Sequence, residues 1–215
     1  RPQWYTVKNR SKTYVDKIIS QISGEHFKNY NINKIIRSNS HVQIYYGGEN
    51  EFFIYDKVII ATHADEALKI IKDPTFEEQK ILKTFKYRIN TAIIHSDKTI
   101  MPKNKKAWCS WNSGMNKDNI EKTSVTYWLN QLQNLKIDKE IFLTINPYRE
   151  IPKDKIFKKV QFTHPYYDHD SLLNQNNLHK IQNKKNILFC GSYFGYGFHE
   201  DGIKSTIEML KTLND

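Results

Sequence analysis

An α/β fold with an antiparallel-rich middle stretch is predicted by three features of this sequence. Residues 11–22 carry apolar side chains at helical spacing, residues 32–61 switch to an alternation of period two, and residues 186–213 run strand, glycine-rich turn, helix. At 215 residues and 39% apolar content the chain can bury a core as one domain or two small ones. No apolar run approaches the ~20 residues that a membrane-spanning helix needs. Cys109 and Cys190 are far apart and form no CxxC pair, so free thiols in a cytoplasmic setting are expected.

In the first helix, Tyr14, Val15, Ile18, Ile19 and Ile22 share one face, and Gly24 stops the run. Ile32 opens a β-meander over 33–37, 42–46 and 52–55, with Gly47-Gly48 as a hairpin turn. Val58-Ile59-Ile60-Ala61 reads as a buried strand that empties into Thr62-His63-Ala64-Asp65 and a helix. His63 reads first as a polar residue at a strand end and second as a general base. Asp73-Pro74-Thr75 starts another helix, with Glu77 and Glu78 against its dipole and Phe76, Ile81, Leu82 and Phe85 facing inward.

After Tyr87 the chain is strand-like over 91–95, 107–111, 125–129 and 141–145, a second sheet that carries Trp108, Trp111 and Trp128. Asp168 to Asp170 read as an N-cap and first turn for a helix with Leu172, Leu173, Leu178 and Ile181. The dense run His164 to Asp170 has a rival reading, a divalent metal site in a hydrolase. Its spacing fits no zinc pattern, so no metal is expected.

The end of the chain is the most informative part. A strand, Asn186 to Cys190, enters a turn with Gly191, Gly195, Gly197 and Gly202, half of the eight glycines, together with Tyr193, Phe194, Tyr196 and Phe198. Missing side chains let a ligand approach backbone N–H groups, and exposed aromatics are costly without one. The following helix places Ile203, Ile207, Leu210 and Leu213 on an inward face and aims its N-terminus at the strand mouth.

The net charge of +10 comes from lysines spread through every segment, with arginine only at positions 1, 10, 37, 88 and 149. Arginine is the better phosphate fork and base reader, so a nucleic-acid partner is not expected. Attraction to an anionic membrane surface is kept as a minor expectation.

The run Phe189 to Leu213 resembles the last FAD-binding motif of the flavin-containing amine oxidase superfamily. Gly195-Tyr196-Gly197-Phe198-His199-Glu200-Asp201-Gly202 looks like the branch of FAD/NAD-binding oxidoreductases associated with cyclopropane-fatty-acyl synthases. Arg1-Pro2-Gln3-Trp4, Ala107 to Asn112, Val125 to Asn130 and His164-Pro165 read like that branch in the same order. A G-x-G-x-x-G fingerprint after a strand, which such enzymes use for the pyrophosphate, does not occur between Arg1 and Asp215. The chain is therefore expected to be the C-terminal part of an FAD/NAD(P)-binding fold that lacks its N-terminal Rossmann unit, with that dinucleotide-binding half as its partner.

The resemblance implies FAD as cofactor and hydride transfer to flavin from a small amine or lipid-like substrate. It implies cofactor contacts at Ile32 beside adenine, Ala61 and Thr62 near the flavin, and Gly191 and Ser192 by the ribityl-phosphate path. Phe198, His199, Glu200, Asp201 and Gly202 follow over the flavin, Phe198 where amine oxidases place an aromatic cage residue. Asn9-Arg10 stands where the family has a Gly-Gly pair. Catalytic residues are not assigned; His63 and His199 are the remaining candidates. By this reading residues 1–84 belong to the FAD-binding domain, 85–165 to a substrate-domain sheet, and 166–215 return to the FAD-binding domain. The other function class is a non-catalytic binding module that kept the fold and lost the cofactor.

Overall fold

The computed structural model describes residues 3, 5, 7–116 and 123–213, so most of the Arg1-Pro2-Gln3-Trp4 word lies outside the described residues. The elements in the first part of the chain are α1 (Ser11–Gln21), β1 (Lys34–Arg37), β2 (Val42–Tyr45), β3 (Phe52–Tyr55), β4 (Val58–Ile60), α2 (Ala64–Ile70), α3 (Phe76–Leu82) and β5 (Lys86–His95). They continue with β6 (Trp111–Met115), β7 (Thr123–Trp128), α4 (Leu129–Leu132), β8 (Phe142–Ile145), β9 (Ile156–Tyr166), α5 (His169–Gln175), β10 (Ile187–Phe189) and α6 (His199–Lys211).

Two compact units emerge: Arg1–His26 with Ile89–Thr163, and Phe27–Arg88 with His164–Asp215.

In the second of these units, β1, β2 and β3 form the antiparallel meander, with Ile35 opposite Ile44 and Ile44 opposite Phe53. β4 pairs in parallel with β10, Ile59 opposite Leu188. Ile35, Val42, Ile60, Ala64, Leu82, Ile181 and Phe189 pack into one core between them. Burial of each large aliphatic or aromatic residue there contributes ~1.5–3 kcal/mol.

One charged pair lies inside that core. Arg37 Nη1 and Nη2 donate to Glu78 Oε1 (2.8 Å) and Oε2 (2.6 Å), and both side chains are fully buried. Arg37 Nη2 also donates to the Asp73 carbonyl (2.8 Å) and Nη1 to the Lys184 carbonyl (3.4 Å). Glu78 completes the N-terminal cap of α3: its Oε2 accepts from Thr75 N (2.7 Å), and its own N–H donates to Thr75 Oγ1 (3.2 Å). The acid that the sequence assigns to the helix dipole is thus half of a buried bidentate ion pair.

In the other unit the sheet order is β6-β7-β8-β5-β9. His95 is fully buried; Asp97 N donates to its Nδ1 (3.1 Å), so the neutral ring carries its proton on Nε2 and donates to Thr144 Oγ1 (2.8 Å). Thr144 in turn meets Thr126 Oγ1 at 2.8 Å. Burial pushes the His95 pKa down from 6.5 to about 4.

Several sequence expectations are corrected. On α6 the buried residues are Ser205 and Met209, while Ile203, Ile207 and Leu210 are exposed; Met209 packs with Leu188 and Cys190, and of the expected face Leu213 packs against them. Hydrogen bonding to the glycine turn through Ser205 fixes this rotation of the helix. α1 forms as expected but buries no residue. Phe76, Leu172 and Leu173 are exposed, and only Ile81, Leu82, Phe85, Leu178 and Ile181 of those two predicted faces enter the core. The strand expected over 107–111 begins only at Trp111, because Asn104 Oδ1 accepts from Lys106 N (2.9 Å) and caps a 3₁₀ turn over Lys105–Ala107. β9 was hidden in the sequence, since its mostly exposed, lysine-bearing residues carry no apolar alternation. Among the described residues no helix is long and apolar enough to cross a membrane.

Glu78→Gln should cost about 3 kcal/mol in urea unfolding at neutral pH, because it removes the buried carboxylate that both Arg37 Nη atoms grip and leaves only the partly exposed Asp73 carboxylate, 3.4 Å from Nε, as counter-ion. A loss below ~1 kcal/mol would show that the pair is dispensable. His95 makes a second, pH-linked prediction. Between pH 6.5 and 4 the unfolded chain binds a proton at this residue that the folded chain excludes, so stability should fall with pH across that window, by about 3 kcal/mol in total. His95→Gln should flatten that part of the stability profile; an unchanged slope would assign it elsewhere.

Candidate functional site

The parallel pairing of β4 and β10 brings two distant stretches together at their C-terminal ends. Cys190 N donates to the Ile60 carbonyl (3.2 Å), which sets Ala61-Thr62 beside Gly191-Ser192. A Cβ on Gly191 would lie 3.7 Å from the Thr62 carbonyl and only 2.8 Å from the Tyr193 ring. With φ of 152°, Gly191 also has a backbone conformation that side chains disfavour.

Across the outer edge of β10 the chain satisfies itself. Gln182 Oε1 accepts from Phe189 N (2.9 Å) while its Nε2 donates to the Phe189 carbonyl (2.7 Å), imitating a neighbouring strand. Gly191 N donates to Ser205 Oγ (2.9 Å), and that hydroxyl donates to the Gly202 carbonyl (2.7 Å). Among the described residues β4 pairs with β10 on one side only, and Ile59 is exposed.

The turn between Gly191 and α6 is closed by Asp201. Its Oδ2 accepts from Tyr196 N (3.0 Å) and Phe198 N (2.9 Å), and Gly195 leaves room for the carboxylate where any side chain would collide with it. Gln175 Nε2 donates to the carbonyls of Tyr193 (3.2 Å) and Gly195 (2.5 Å) from beneath. Gly202 differs from the other glycines here. Beyond its own helix, a Cβ at this position would meet only Ser192 N, at 3.9 Å.

Three phenols surround this turn, and sequence reading assigned none of them a role. Tyr193 is buried beneath Gly191, and its hydroxyl has no hydrogen-bond partner among the described residues. Tyr167, likewise unpartnered at its hydroxyl, lies 3.1 Å from where a Gly197 Cβ would be. Tyr87 accepts from Ala64 N (2.9 Å) and stacks on His63 with ring centroids 4.2 Å apart. Burial raises all three pKa values, that of Tyr87 to about 12, so each remains a protonated donor. Tyr193 stood inside the glycine motif and its aromatic character was visible; Tyr87 and Tyr167 are brought in from chain positions that no local pattern connects.

Of the site residues expected from sequence, Ala61, Thr62, Gly191, Ser192 and Gly202 come together, with Asp201 serving the turn itself. Phe198, His199 and Glu200 are exposed at the start of α6, and Glu200 lies 3.7 Å from Lys204. Ile32 packs partly buried against the meander core. In the His164 to Asp170 run, Asp168 accepts from Ser171 N (3.0 Å) as the N-cap of α5 and pairs with Lys86 at 2.6 Å. The Lys86 hydrogen bond, followed by that from Ser171, holds the Asp168 carboxyl at about 2. Asn9 and Arg10, which stand where the family has Gly-Gly, both have positive φ, 64° and 71°. Arg10, with ψ of −177°, occupies a region that is nearly glycine-only.

No family model matches the chain, and no curated protein matches it. Solved structures do. A CLA-producing fatty acid isomerase from P. acnes aligns with a TM-score of 0.65 and 12% identity, over 94% of this chain and 51% of its own. A putrescine oxidase redesigned in its cofactor binding gives 0.64 and 8%, over 96% and 53%. The cyclohexylamine oxidase of Brevibacterium oxydans gives 0.54 and 9%, over 86% and 49%. The chain thus has the fold of part of these enzymes and spans about half the length of each.

Asp201→Ala should destabilise the protein by about 1–2 kcal/mol without any ligand, since it removes two charge-assisted bonds that close the turn. Thermal unfolding at pH 7 that is unchanged would free Asp201 for a role outside the turn.

Proposed function

We propose that this chain is the C-terminal part of an FAD-dependent oxidoreductase of the amine-oxidase-like superfamily. Gly202 carries the reading. A glycine in the first turn of a helix costs ~1 kcal/mol relative to alanine, and the described residues leave room for a methyl group there. Its missing side chain is thus explained by a ligand that approaches the backbone. The position, at the C-terminal mouth of parallel strands and at a helix N-terminus, favours polar, electron-rich ligands.

The donor set fits the cofactor: strand-end backbone at Ala61, Thr62, Gly191 and Ser192, the opening of α6, and unpaired phenols at Tyr167 and Tyr193. These residues would hold the flavin side of FAD, with Ile32 toward adenine and Phe198, His199 and Glu200 at the outer rim. Acceptance of a hydride equivalent from substrate is the chemistry that FAD supplies when bound. Asp201 and Gln175 hold the turn rigid, and Tyr193 fills the space beneath Gly191. The pyrophosphate site belongs, on this reading, to a dinucleotide-binding half. The one-sided pairing of β4 and the doubled length of the matched structures support such a half. Amines are suggested as substrates by the two oxidases, and lipid-like molecules by the isomerase and by the Gly195–Gly202 word.

The test is the visible spectrum of the protein carrying this chain after reconstitution with excess FAD. Absent flavin bands would leave the non-catalytic module. Gly202→Ala should raise stability of the flavin-free protein by up to ~1 kcal/mol while weakening FAD retention about tenfold. FAD binding as tight as in the wild type would remove Gly202 from the site.

A further inference from the structure

In the unit that contains residues 89–163, two indoles and a carboxylate form a corner around an ammonium group. Glu140 is about nine-tenths buried; its Oε2 accepts from Trp128 Nε1 (2.6 Å) and its Oε1 from Lys105 Nζ (2.8 Å). Trp108 and Trp128 meet edge to face, with centroids 5.3 Å apart and planes at 89°. Lys105 Nζ lies 5.4 Å and 5.8 Å from the two ring centroids, within cation–π range of both.

The receptor groups are held by the fold, whereas the occupant reaches them from an exposed side chain. Trp108 is held by Nε1 donating to the Pro102 carbonyl (2.7 Å) and by packing on Phe142. Glu140 is held by Trp128. Lys105, by contrast, is two-thirds exposed along its side chain and stands on a single 3₁₀ turn. Burial opposes ionisation of Glu140, but hydrogen bonds from Lys105 and Trp128 outweigh it, so the corner presents a full negative charge. Lys98 also acts on that carboxylate and favours its charged form.

We propose that Trp108, Trp128 and Glu140 form a binding site for a primary alkylammonium ion, and that Lys105 occupies it as a tethered, displaceable stand-in. Lys105 competes with an external amine, so removal of its charge should expose the full affinity.

The test uses n-butylammonium chloride against the ¹⁵N-labelled chain, followed at the Trp128 indole N–H resonance. Lys105→Gln, which keeps the stem and loses the charge, should give a saturable shift at least about fivefold tighter than the wild type. Addition of Glu140→Gln to that variant should abolish it, and n-butanol or potassium chloride should give none. Lys105→Ala offers the same reading if the glutamine variant does not fold. Absence of a saturable shift in the folded Lys105 variants, an equal shift with butanol, or one that survives Glu140→Gln would overturn the site. Because the readout needs no flavin, failure here leaves the oxidoreductase reading untouched, and the converse holds as well.

Discussion

The buried pairing of Arg37 with Glu78 is the constraint around which the unit with the glycine turn is organised. Two opposite charges removed from water need close hydrogen-bonded partners, and Arg37 draws them from three separate places in the chain. Arg37 reaches Glu78 on α3, the Asp73 carbonyl before it, and the Lys184 carbonyl just ahead of β10. The last contact has a consequence for the candidate site. Lys184 also accepts from Ile187 N, so the guanidinium helps fix where β10 begins and hence where Gly191 ends it.

From there the site is a problem in backbone accounting. A strand with a vacant edge and a helix with an open first turn both leave polar groups to satisfy. The chain uses its own side chains where it can: Gln182 on the β10 edge, Ser205 between Gly191 and Gly202, Asp201 across the turn. Among the described residues around the turn, the buried hydroxyls of Tyr167 and Tyr193 are left without a hydrogen-bond partner, and Gly202 leaves space beside Ser192. Rigid self-satisfaction around a small unsatisfied remainder is what a preorganised ligand site requires.

The other unit solves a different problem, polar groups inside a sheet. His95, Thr144 and Thr126 form a line of hydrogen bonds across β5, β8 and β7, neutral throughout and therefore inexpensive to bury. Glu140 remains charged, and two indoles and a lysine are the surroundings that allow it. The same chemistry that makes this carboxylate tolerable in the fold makes it a receptor for a cation.

The sequence by itself determined the local grammar. The helix at 11–21, the meander, the capped start of α3 and the strand–turn–helix tail were all legible, because periodicity and turn chemistry are written in neighbouring residues. It also marked Gly191 as a position where a side chain is missing for a reason. Only tertiary structure decided which faces are buried. On α6, Ser205 and Met209 are buried in place of Ile203, Ile207 and Leu210, with the Ser205 hydroxyl accepting from Gly191 N. Phe76 and Leu173 stayed outside although their spacing pointed inward. Glu78 became an internal counter-ion, and Tyr87 and Tyr167 reached the turn, through contacts between residues far apart in the chain. Such contacts depend on how elements dock, and no local pattern records that.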